Sequence, residues 1–193
     1  MIYLASTSPR RKSLLKQYGI PFRILPPVYE ETNKLNLRPS QLVRTHALEK
    51  GRSCAALIRN GVILSADTIV YLNGKVIGKP KNKKDAFKIL ISLQGRWHKV
   101  YTGVALIRIQ AGKIKRKSLF SEVTQVKLKQ MSEIDMKQYF KKINPLDKAG
   151  AYAIQSKQPN IVESVKGSLT NAIGLPMEAV LEHYRQLKKR GID

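Results

Sequence analysis

A single aspartate stands in the middle of a stretch of apolar and β-branched residues, where a carboxylate is rare. Asp67 lies within the predicted strand Val62–Leu72 and is the only acid between Glu49 and Asp85. A carboxylate in a buried strand is disfavoured by propensity and costly to desolvate, so it needs a cavity, a metal ion or a cation beside it. We expect Asp67 to serve as a base, a metal ligand or both; a structural ion pair with a lysine is the alternative.

Small hydroxyl residues and two arginines follow the first predicted strand. Ser6 and Ser8 come after that strand, and Arg10 and Arg11 occupy the first turn of a helix predicted to begin at Pro9. The first turn carries partial positive charge, so two cations there are unfavourable unless an anion is bound. Backbone N–H groups, hydroxyls and guanidinium groups at one place are typical of a phosphate site. The alternative is that both arginines point into water.

Four further polar motifs extend this set. Glu30 and Glu31 form a carboxylate pair in a loop, for which a solvated pair is the alternative. Lys79 stands between a glycine and a proline, where it could hold a phosphate as a point charge. Gln155 ends a segment of small residues, and its amide can both donate to and accept from the edge of a base. The polar segment 167–176 is predicted to be a turn that caps the last helix.

The histidines, the cysteine and the tryptophan indicate no site by their spacing. His46 and His98 are too far apart for a metal motif, and His183 belongs to the predicted terminal helix. Cys54, in a predicted helix without a nearby histidine, is predicted to be a small core residue. Trp97 is predicted to be a packing residue. The chain has no Walker-type glycine loop and no zinc-ligand spacing.

The charge of the chain is its most unusual bulk property. There are 36 lysines and arginines against 13 aspartates and glutamates, which gives +23. Such a surface attracts nucleic acids, anionic membranes or small phosphorylated molecules. The chain lacks a run of about 18 apolar residues, and its N-terminal segment is unlike a secretory signal. Together with a single cysteine, which suggests a reducing compartment, these features predict a cytoplasmic protein without a membrane span.

Strand and helix patterns alternate along the chain, which favours an α/β or α+β architecture. Without a repeat or a linker, we predict a single domain over residues 1–193. Strands are predicted at Ile2–Ala5, Phe22–Leu25, Val62–Leu72, Lys75–Ile77, Val100–Ile109, Ile114–Leu128 and Ile161–Val165. Helices are predicted from Pro9 to about Tyr18, Pro39 to about Arg59, Lys83 to Leu93, Ser132 (as its cap) to about Lys141, and Pro176 to about Lys189.

Taken in order, these motifs resemble the Maf family of nucleotide pyrophosphatases over essentially the whole chain. The matching segments are Leu4–Arg11, Ser65–Val70, Gly78–Pro80, Gly95–Gly103, Asp147–Gln155 and Gly167–Pro176. The resemblance implies an α/β fold with a strongly bent mixed β-sheet flanked by helices, a central cleft of the Maf and ITPase type, and a homodimer. It also implies hydrolysis of nucleoside triphosphates to the monophosphate and pyrophosphate with a divalent cation, Mg²⁺ or Mn²⁺. Ala153, in place of the usual glycine, and Trp97-His98 depart from the family pattern.

The same resemblance implies roles for individual residues. Asp67 matches the catalytic acid and Glu31 the second functional carboxylate, and both are expected to hold the metal. The residues that resemble the family's phosphate-binding cations are Arg10, Arg11, Lys50 and Lys79. Three positions separate a branch that acts on dTTP and UTP from one that acts on 7-methyl-GTP. Here they are Arg10, Thr68 and Gln155, which match the dTTP/UTP branch.

Two other classes of function compete with a pyrophosphatase. The charge of +23 is compatible with a nucleic-acid-binding protein. Only 7% of the residues are aromatic, however, and no recognition-helix pattern is present, so we predict no specific nucleic-acid partner. A regulatory protein that binds a nucleotide without turning it over is the other alternative. Release of pyrophosphate distinguishes the enzyme from both.

Overall fold

The computed structural model describes residues 1–31, 37–155 and 160–189, and strands and helices alternate along it. The strands are β1 (Ile2–Ala5), β2 (Phe22–Ile24), β3 (Gly61–Leu72), β4 (Lys75–Ile77), β5 (Trp97–Gln110), β6 (Lys113–Leu128) and β7 (Val162–Lys166). The helices are α1 (Pro9–Gln17), α2 (Pro39–Ser53), α3 (Lys83–Leu93), α4 (Glu133–Lys142), α5 (Leu169–Ile173) and α6 (Met177–Lys189). Short 3₁₀ turns occur at Ala55–Leu57 and Ala149–Ala151.

One mixed sheet holds the seven strands of the described residues. Its order is β2-β1-β3-β5-β6-β7, and β4 pairs with β3 off this path. β1 runs parallel to β2 and β3, whereas the β3–β4 and β6–β7 pairs are antiparallel. Parallel neighbours need a crossover, which α1 and α2 supply. The predicted α/β fold with a mixed sheet flanked by helices is confirmed; the strong bend and the central cleft stay predictions.

The chain forms two compact units. Unit 1 comprises Met1–Asp67, Thr102–Glu122 and Gly174–Asp193, and unit 2 comprises Thr68–Tyr101 and Val123–Ile173. One core cluster of unit 1 consists of Ala5, Ala47, Cys54, Ile58, Ile63, Ala105, Ile107 and Ile109. A core cluster of unit 2 consists of Val70, Leu90, Leu93, Val100, Val126, Leu128, Met136, Tyr139, Tyr152 and Ile161. The single domain over residues 1–193 stays a prediction.

Within unit 1, small residues let α2 lie very close to the sheet. A Cβ atom on Gly103 of β5 would overlap the carbonyl group of Val43. A Cβ atom on Gly51 of α2 would stand 2.7 Å from Ser65 Oγ of β3. That hydroxyl donates to the carbonyl of Ala47 at 2.6 Å, which ties α2 directly to β3. The close approach brings side chains of α2 onto the residues of β3.

The second helix is shorter than predicted. Its apolar pattern predicts an end near Arg59, but α2 ends at Ser53. The Ser53 hydroxyl donates to the carbonyl of Lys50 at 2.9 Å and so satisfies an acceptor of the last helical turn. The 3₁₀ turn follows, and Ile58 is buried beyond it, which explains why the apolar pattern continues past the end of the helix.

Local turn and cap signals are confirmed. Asn73 and Gly74 join β3 to β4 with φ angles of 48° and 81°, the left-handed conformations that a tight hairpin turn needs. Ser132 caps α4, because its hydroxyl accepts a hydrogen bond from the Asp135 N–H at 3.2 Å. Both features depend on residues adjacent in sequence, so the rest of the fold does not disturb them.

Several strand boundaries and one segment differ from prediction. β5 begins at Trp97, three residues before the predicted start, and β7 covers Val162–Lys166. β2 ends at Ile24, so Leu25 belongs to the following loop. The segment 167–176, predicted to be a turn, contains the short helix α5. In the described part of the chain, no helix is long and apolar enough to cross a membrane.

Candidate active site

The lone aspartate of β3 is buried and paired with a lysine. Asp67 is 4% exposed, and its Oδ1 accepts a hydrogen bond from Lys50 Nζ at 2.6 Å. Lys50 is also buried, because α2 presses its last turns against β3. The ammonium compensates a carboxylate charge that would otherwise be costly to keep inside the fold. The ion pair considered as the alternative for Asp67 is present, and the catalytic role of Asp67 stays a prediction.

A second carboxylate reaches the same ammonium. Glu31 Oε1 lies 2.5 Å from Lys50 Nζ, and 44% of the Glu31 side chain is exposed. The lysine therefore bridges one buried and one half-exposed carboxylate from two different segments of unit 1. The structure brings three predicted site residues together, although it shows Lys50 binding carboxylates; its role as a phosphate-binding cation stays a prediction.

The two carboxylates form a donor set that suits a hard divalent cation. Their oxygens converge on one positive group, and carboxylate oxygen is the preferred protein ligand of Mg²⁺ and Mn²⁺. The described residues contain no group of three or more histidines, cysteines, aspartates or glutamates that could hold a metal. Mg²⁺ commonly takes only one or two carboxylates and completes its shell with water and phosphate oxygens. Glu31 and Asp67 fit that pattern.

The start of α1 holds its second arginine in place. Arg11 Nε donates to the carbonyl of Gly174 at 2.9 Å, and its Nη1 donates to Ser6 Oγ at 3.2 Å. The backbone N–H of Ser8 also donates to Ser6 Oγ, at 3.2 Å. Ser8 precedes the helix at its N-cap, but its side chain makes no capping hydrogen bond. The Arg11 side chain is thus held by Gly174 and Ser6 and does not simply point into water.

Arg10 and Arg11 both lie in the first turn of α1, which contains no acid. Burial lowers the pKa of Arg11 to about 10; the charges of Asp67 and Glu31 oppose this shift, and that of Arg10 adds to it. Arg11 remains protonated at neutral pH. Three cations and two carboxylates of unit 1 therefore act on one another, which leaves an excess of positive charge for an anion.

The predicted site residues of unit 2 lie at turns and on β3. Lys79 is exposed, and its turn is fixed because the Gly150 N–H donates to the carbonyl of Gly78 at 3.2 Å. Gly150 has a φ of 75°, and a Cβ atom there would lie 3.0 Å from Val70 Cγ2. Two separate motifs are thus joined within unit 2. Thr68 is half-buried and Gln155 is exposed; that they act with Asp67 stays a prediction.

Residues that the sequence did not single out lie beside the cluster. His46 is 1% exposed, and its Nδ1 is 2.8 Å from the hydroxyl of Tyr29, two residues before Glu31. Its signal is the spacing on α2: His46 stands four residues before Lys50, so both share one helix face. Isolated histidines show no metal spacing, which explains why the signal was missed.

The other residues that the sequence set aside mostly pack as expected. Cys54 is buried and unpaired. His98 is also buried, and its Nε2 is 2.8 Å from the hydroxyl of Tyr152. Trp97 is 38% exposed and packs at the surface, where Lys166 Nζ lies 4.7 Å from its ring centre. Trp97 begins β5 with an exposed side chain, where a cation covers the ring.

A cavity of about 310 Å³ in unit 1 lies away from these residues. Its lining includes Gly61, Arg108, Tyr184 and Lys188, and it contains none of the predicted site residues. Gly61 stands six residues before Asp67 on β3, which corresponds to about 20 Å of extended strand. The cavity is therefore not the place where the carboxylates and the lysine meet.

The chain is an α/β protein with a mixed sheet. Its candidate site combines a buried carboxylate–ammonium cluster with an arginine that is anchored at the start of a helix. A family model described as "Maf-like protein" matches residues 1–187, and the chain belongs to this family. The resemblance seen in the sequence motifs is confirmed.

Relatives of similar length support the same family. A protein from Carboxydothermus hydrogenoformans named "dTTP/UTP pyrophosphatase" is 43% identical over 191 residues, and the match covers 98% of each chain. A protein of the same name from Elusimicrobium minutum is 44% identical over 179 residues, covering 92% of this chain and 93% of its own. Among solved structures, a HAM1 protein from Coxiella burnetii aligns with a TM-score of 0.53 at 17% identity, over 97% of this chain and 98% of its own. That likeness concerns the fold alone.

Proposed function

We propose that this protein is a nucleoside triphosphate pyrophosphatase that converts dTTP and UTP to the monophosphate and pyrophosphate. The observation that carries the proposal is the near-full-length similarity, at 43% and 44% identity, to proteins named for this activity. The charge cluster of unit 1 supports it, because it combines a buried carboxylate with cations that suit phosphates. A wholly apolar site would offer neither.

The start of α1 binds phosphate in this proposal. The anchors at Gly174 and Ser6 hold two nitrogens of the Arg11 guanidinium in place. Anchoring orients the Arg11 guanidinium before substrate arrives, which reduces the ordering that binding must impose. Arg10 and the backbone N–H groups of the first turn add positive potential at the same end of the helix.

Asp67 takes the proton from the attacking water. The water oxygen forms a bond to the α-phosphorus, its proton passes to a carboxylate oxygen of Asp67, and the bond to the bridging oxygen of pyrophosphate breaks. Lys50 holds Asp67 in one orientation, since Nζ contacts Oδ1 and is itself tied to Glu31. In the same proposal Lys50 and Lys79 offset phosphate charge.

A divalent cation, Mg²⁺ or Mn²⁺, completes the proposed site, with Glu31 and Asp67 as its protein ligands. When bound, it would lower the pKa of a coordinated water and neutralise phosphate charge. Because Glu31 is half-exposed, its carboxylate is accessible to a metal ion that would replace the Lys50 ammonium as its partner. Asp67, in contrast, is buried in the sheet.

The choice of base is proposed to depend on Arg10, Thr68 and Gln155. The amide of Gln155 both donates and accepts, which matches a pyrimidine edge, whereas 7-methylguanine presents N–H donors and a positive charge. We expect the triple variant Arg10→Tyr, Thr68→Gln, Gln155→Glu to shift the ratio of kcat/KM from dTTP toward 7-methyl-GTP by about tenfold or more.

The decisive experiment measures pyrophosphate release from a panel of canonical and modified nucleoside triphosphates with Mg²⁺ or Mn²⁺. Release from dTTP and UTP much faster than from 7-methyl-GTP is expected. Preference for 7-methyl-GTP would contradict the substrate assignment, and tight nucleotide binding without any release would contradict the enzyme. Omission of the divalent cation is expected to abolish release.

The proposal includes a cytoplasmic homodimer. Cys54, the one cysteine of the sequence, is buried and unpaired, which suits a reducing compartment. Sedimentation of the purified protein at several concentrations checks the oligomeric state. A single species at the monomer mass of 21.8 kDa would contradict the homodimer.

A further inference from the structure

The loop that carries Glu31 is fastened to α2 along its length. The loop Leu25–Glu31, here called the glutamate loop, has no regular secondary structure. Near its beginning, the Cys54 thiol after α2 contacts the carbonyls of Leu25 and Pro26 at 3.8 and 3.9 Å. Further along, the Val28 N–H donates to Ser53 Oγ at 3.2 Å. These bonds fix the first half of the loop against the end of α2.

The second half of the loop contacts the last two turns of α2. The Tyr29 hydroxyl is 2.8 Å from His46 Nδ1, and Glu31 meets Lys50 at 2.5 Å. His46 and Lys50 are four residues apart on one face of α2. Tyr29 and Glu31 are two residues apart, so in extended chain their side chains point the same way. The Tyr29–His46 hydrogen bond thus holds the loop two residues before Glu31.

His46 is a poor choice for stability alone. Its side chain is 1% exposed, and among the described residues its Nε2 atom is buried without a hydrogen-bond partner. An unsatisfied polar atom in a core destabilises the fold, and a leucine of similar volume would avoid it. A residue that leaves a buried polar atom without a hydrogen bond is more often found at a functional site than in a core that only stabilises the fold. The bond that His46 does make leads to Tyr29.

We propose that Tyr29 and His46 are positioning residues, whose hydrogen bond holds the glutamate loop so that the Glu31 carboxylate stays on Lys50 beside Asp67. The inference rests on the proposed function, in which Glu31 acts in hydrolysis. Glu31 is half-exposed in a loop, and an ion pair at such a position fixes a side chain weakly. Fixing the backbone two residues earlier restricts where its carboxylate can lie.

The test compares Tyr29→Phe, His46→Leu, the double variant, and His46→Asn, whose side-chain amide keeps a polar group near the Nδ1 position. The control is Tyr18→Phe, which removes a different tyrosine hydrogen bond, to Glu178 at 2.9 Å. We expect kcat for dTTP to fall about tenfold in Tyr29→Phe, His46→Leu and the double variant, with KM within about twofold. His46→Asn is expected to recover most of kcat, and the control to match the wild type.

The melting temperature separates positioning from simple structural support. His46→Leu is expected to melt at or above the wild-type temperature, because it removes the unsatisfied Nε2. Tyr29→Phe is expected to melt lower, because both ring nitrogens of His46 then lack a hydrogen-bond partner among the described residues. The double variant then recovers the melting temperature but not kcat. A kcat within twofold of wild type in His46→Leu, or a kcat that follows the melting temperature across the series, would overturn the proposal.

Hydrogen exchange keeps the inference distinct from the proposed function. The amides of Val28–Glu31 are expected to exchange faster in Tyr29→Phe and His46→Leu than in the wild type or in Tyr18→Phe. Unchanged exchange there would overturn the positioning role, whatever the activity. If the wild type releases no pyrophosphate from any triphosphate, the proposed function fails, and faster exchange would still support the fastening of the loop.

Discussion

Side chains of opposite charge are in direct contact in the site of unit 1. Lys50 contacts the carboxylates of Asp67 and Glu31, and Arg11 interacts electrostatically with both. Each buried charge here has a partner, so removing one member leaves another uncompensated. Variants at this scale should therefore change both chemistry and stability, in proportions that depend on burial.

The first residue-scale prediction concerns Asp67→Asn. The amide keeps the size of the side chain but cannot take a proton from water, so turnover is expected to fall by roughly 10² or more. Lys50 keeps Glu31 as a partner, so the protein should remain folded with a loss of about 1–3 kcal/mol in the free energy of unfolding. Steady-state kinetics and denaturant titration measure the two effects.

A matched control for that variant is Glu163→Gln, which neutralises the surface ion pair of Glu163 with Lys127 at 2.8 Å. It should alter neither turnover nor, beyond about 1 kcal/mol, stability. Wild-type turnover in Asp67→Asn would refute the catalytic assignment.

A second prediction separates the two arginines of α1. Arg11→Ala removes hydrogen bonds to Gly174 and Ser6, so it should weaken nucleotide binding and lower the free energy of unfolding by about 1–3 kcal/mol. Arg10→Ala removes a cation from the positive end of the helix, so it should weaken binding while leaving stability the same or about 0.5 kcal/mol higher. Calorimetric titration with a nucleotide and thermal melts test this. Equal stability losses in both variants would count against it.

At the scale of elements, close packing between α2 and the sheet assembles the cluster. Gly51 and Gly103 remove the Cβ atoms that would hold the helix away from β3 and β5. Ser65 then ties β3 to the carbonyl of Ala47. Lys50 is adjacent to Gly51 in α2, and Asp67 is two residues after Ser65 in β3. The close approach of the α2 backbone to β3 therefore brings Lys50 Nζ to 2.6 Å from Asp67 Oδ1.

The element-scale prediction concerns β5 and acid stability. Burial lowers the pKa of His98 from about 6.5 to about 4. Between pH 4 and pH 6.5, His98 is therefore protonated in the unfolded chain but largely neutral in the native state. The free energy of unfolding has its full value with respect to His98 above pH 6.5. It decreases by up to about 3 kcal/mol as the pH falls toward 4.

The measurement is urea unfolding of the wild type and His98→Gln at several values between pH 4 and pH 7. The variant is expected to be less stable at pH 7, because the hydrogen bond between His98 and Tyr152 is lost, but its stability should fall less steeply with acid. Parallel curves for the two proteins would show that His98 does not titrate as expected.

At the scale of the whole molecule, the net charge of +23 acts on anions beyond any single contact. A triphosphate approaching such a surface is drawn by a potential that salt screens within about 10 Å at 0.1 M. The cluster of unit 1 is more nearly balanced in charge, so the excess lies largely on surface lysines. We expect those lysines to raise the rate of encounter with a triphosphate without touching the reacting atoms.

The whole-molecule prediction is therefore a strong dependence of KM on salt. Raising monovalent salt from about 50 to 200 mM should increase KM for dTTP several-fold and change kcat by less than about twofold. Initial rates at constant free divalent cation give both constants. A KM that does not respond to salt would show that long-range charge plays no part in binding.

Features that depend on neighbouring residues in the chain were predictable from the amino-acid sequence. The hairpin at Asn73-Gly74, the cap at Ser132 and the lone acid in β3 follow from the conformational and solvation preferences of adjacent residues. The ordered motifs likewise indicated the family and, through it, the mixed sheet. These properties are local or cumulative, so they need no knowledge of which distant residues touch.

Which charged residues come into contact depends on the packing of distant segments and could not be predicted from the sequence. Lys50 and Asp67 are 17 residues apart, and Arg11 and Gly174 are 163 apart. The bond between Tyr29 and His46 likewise joins a loop to a helix that follows it. Such pairs depend on how closely α2 approaches the sheet and where the chain returns to α1. Those distances are set by packing among many residues at once, so no pattern along the chain specifies them.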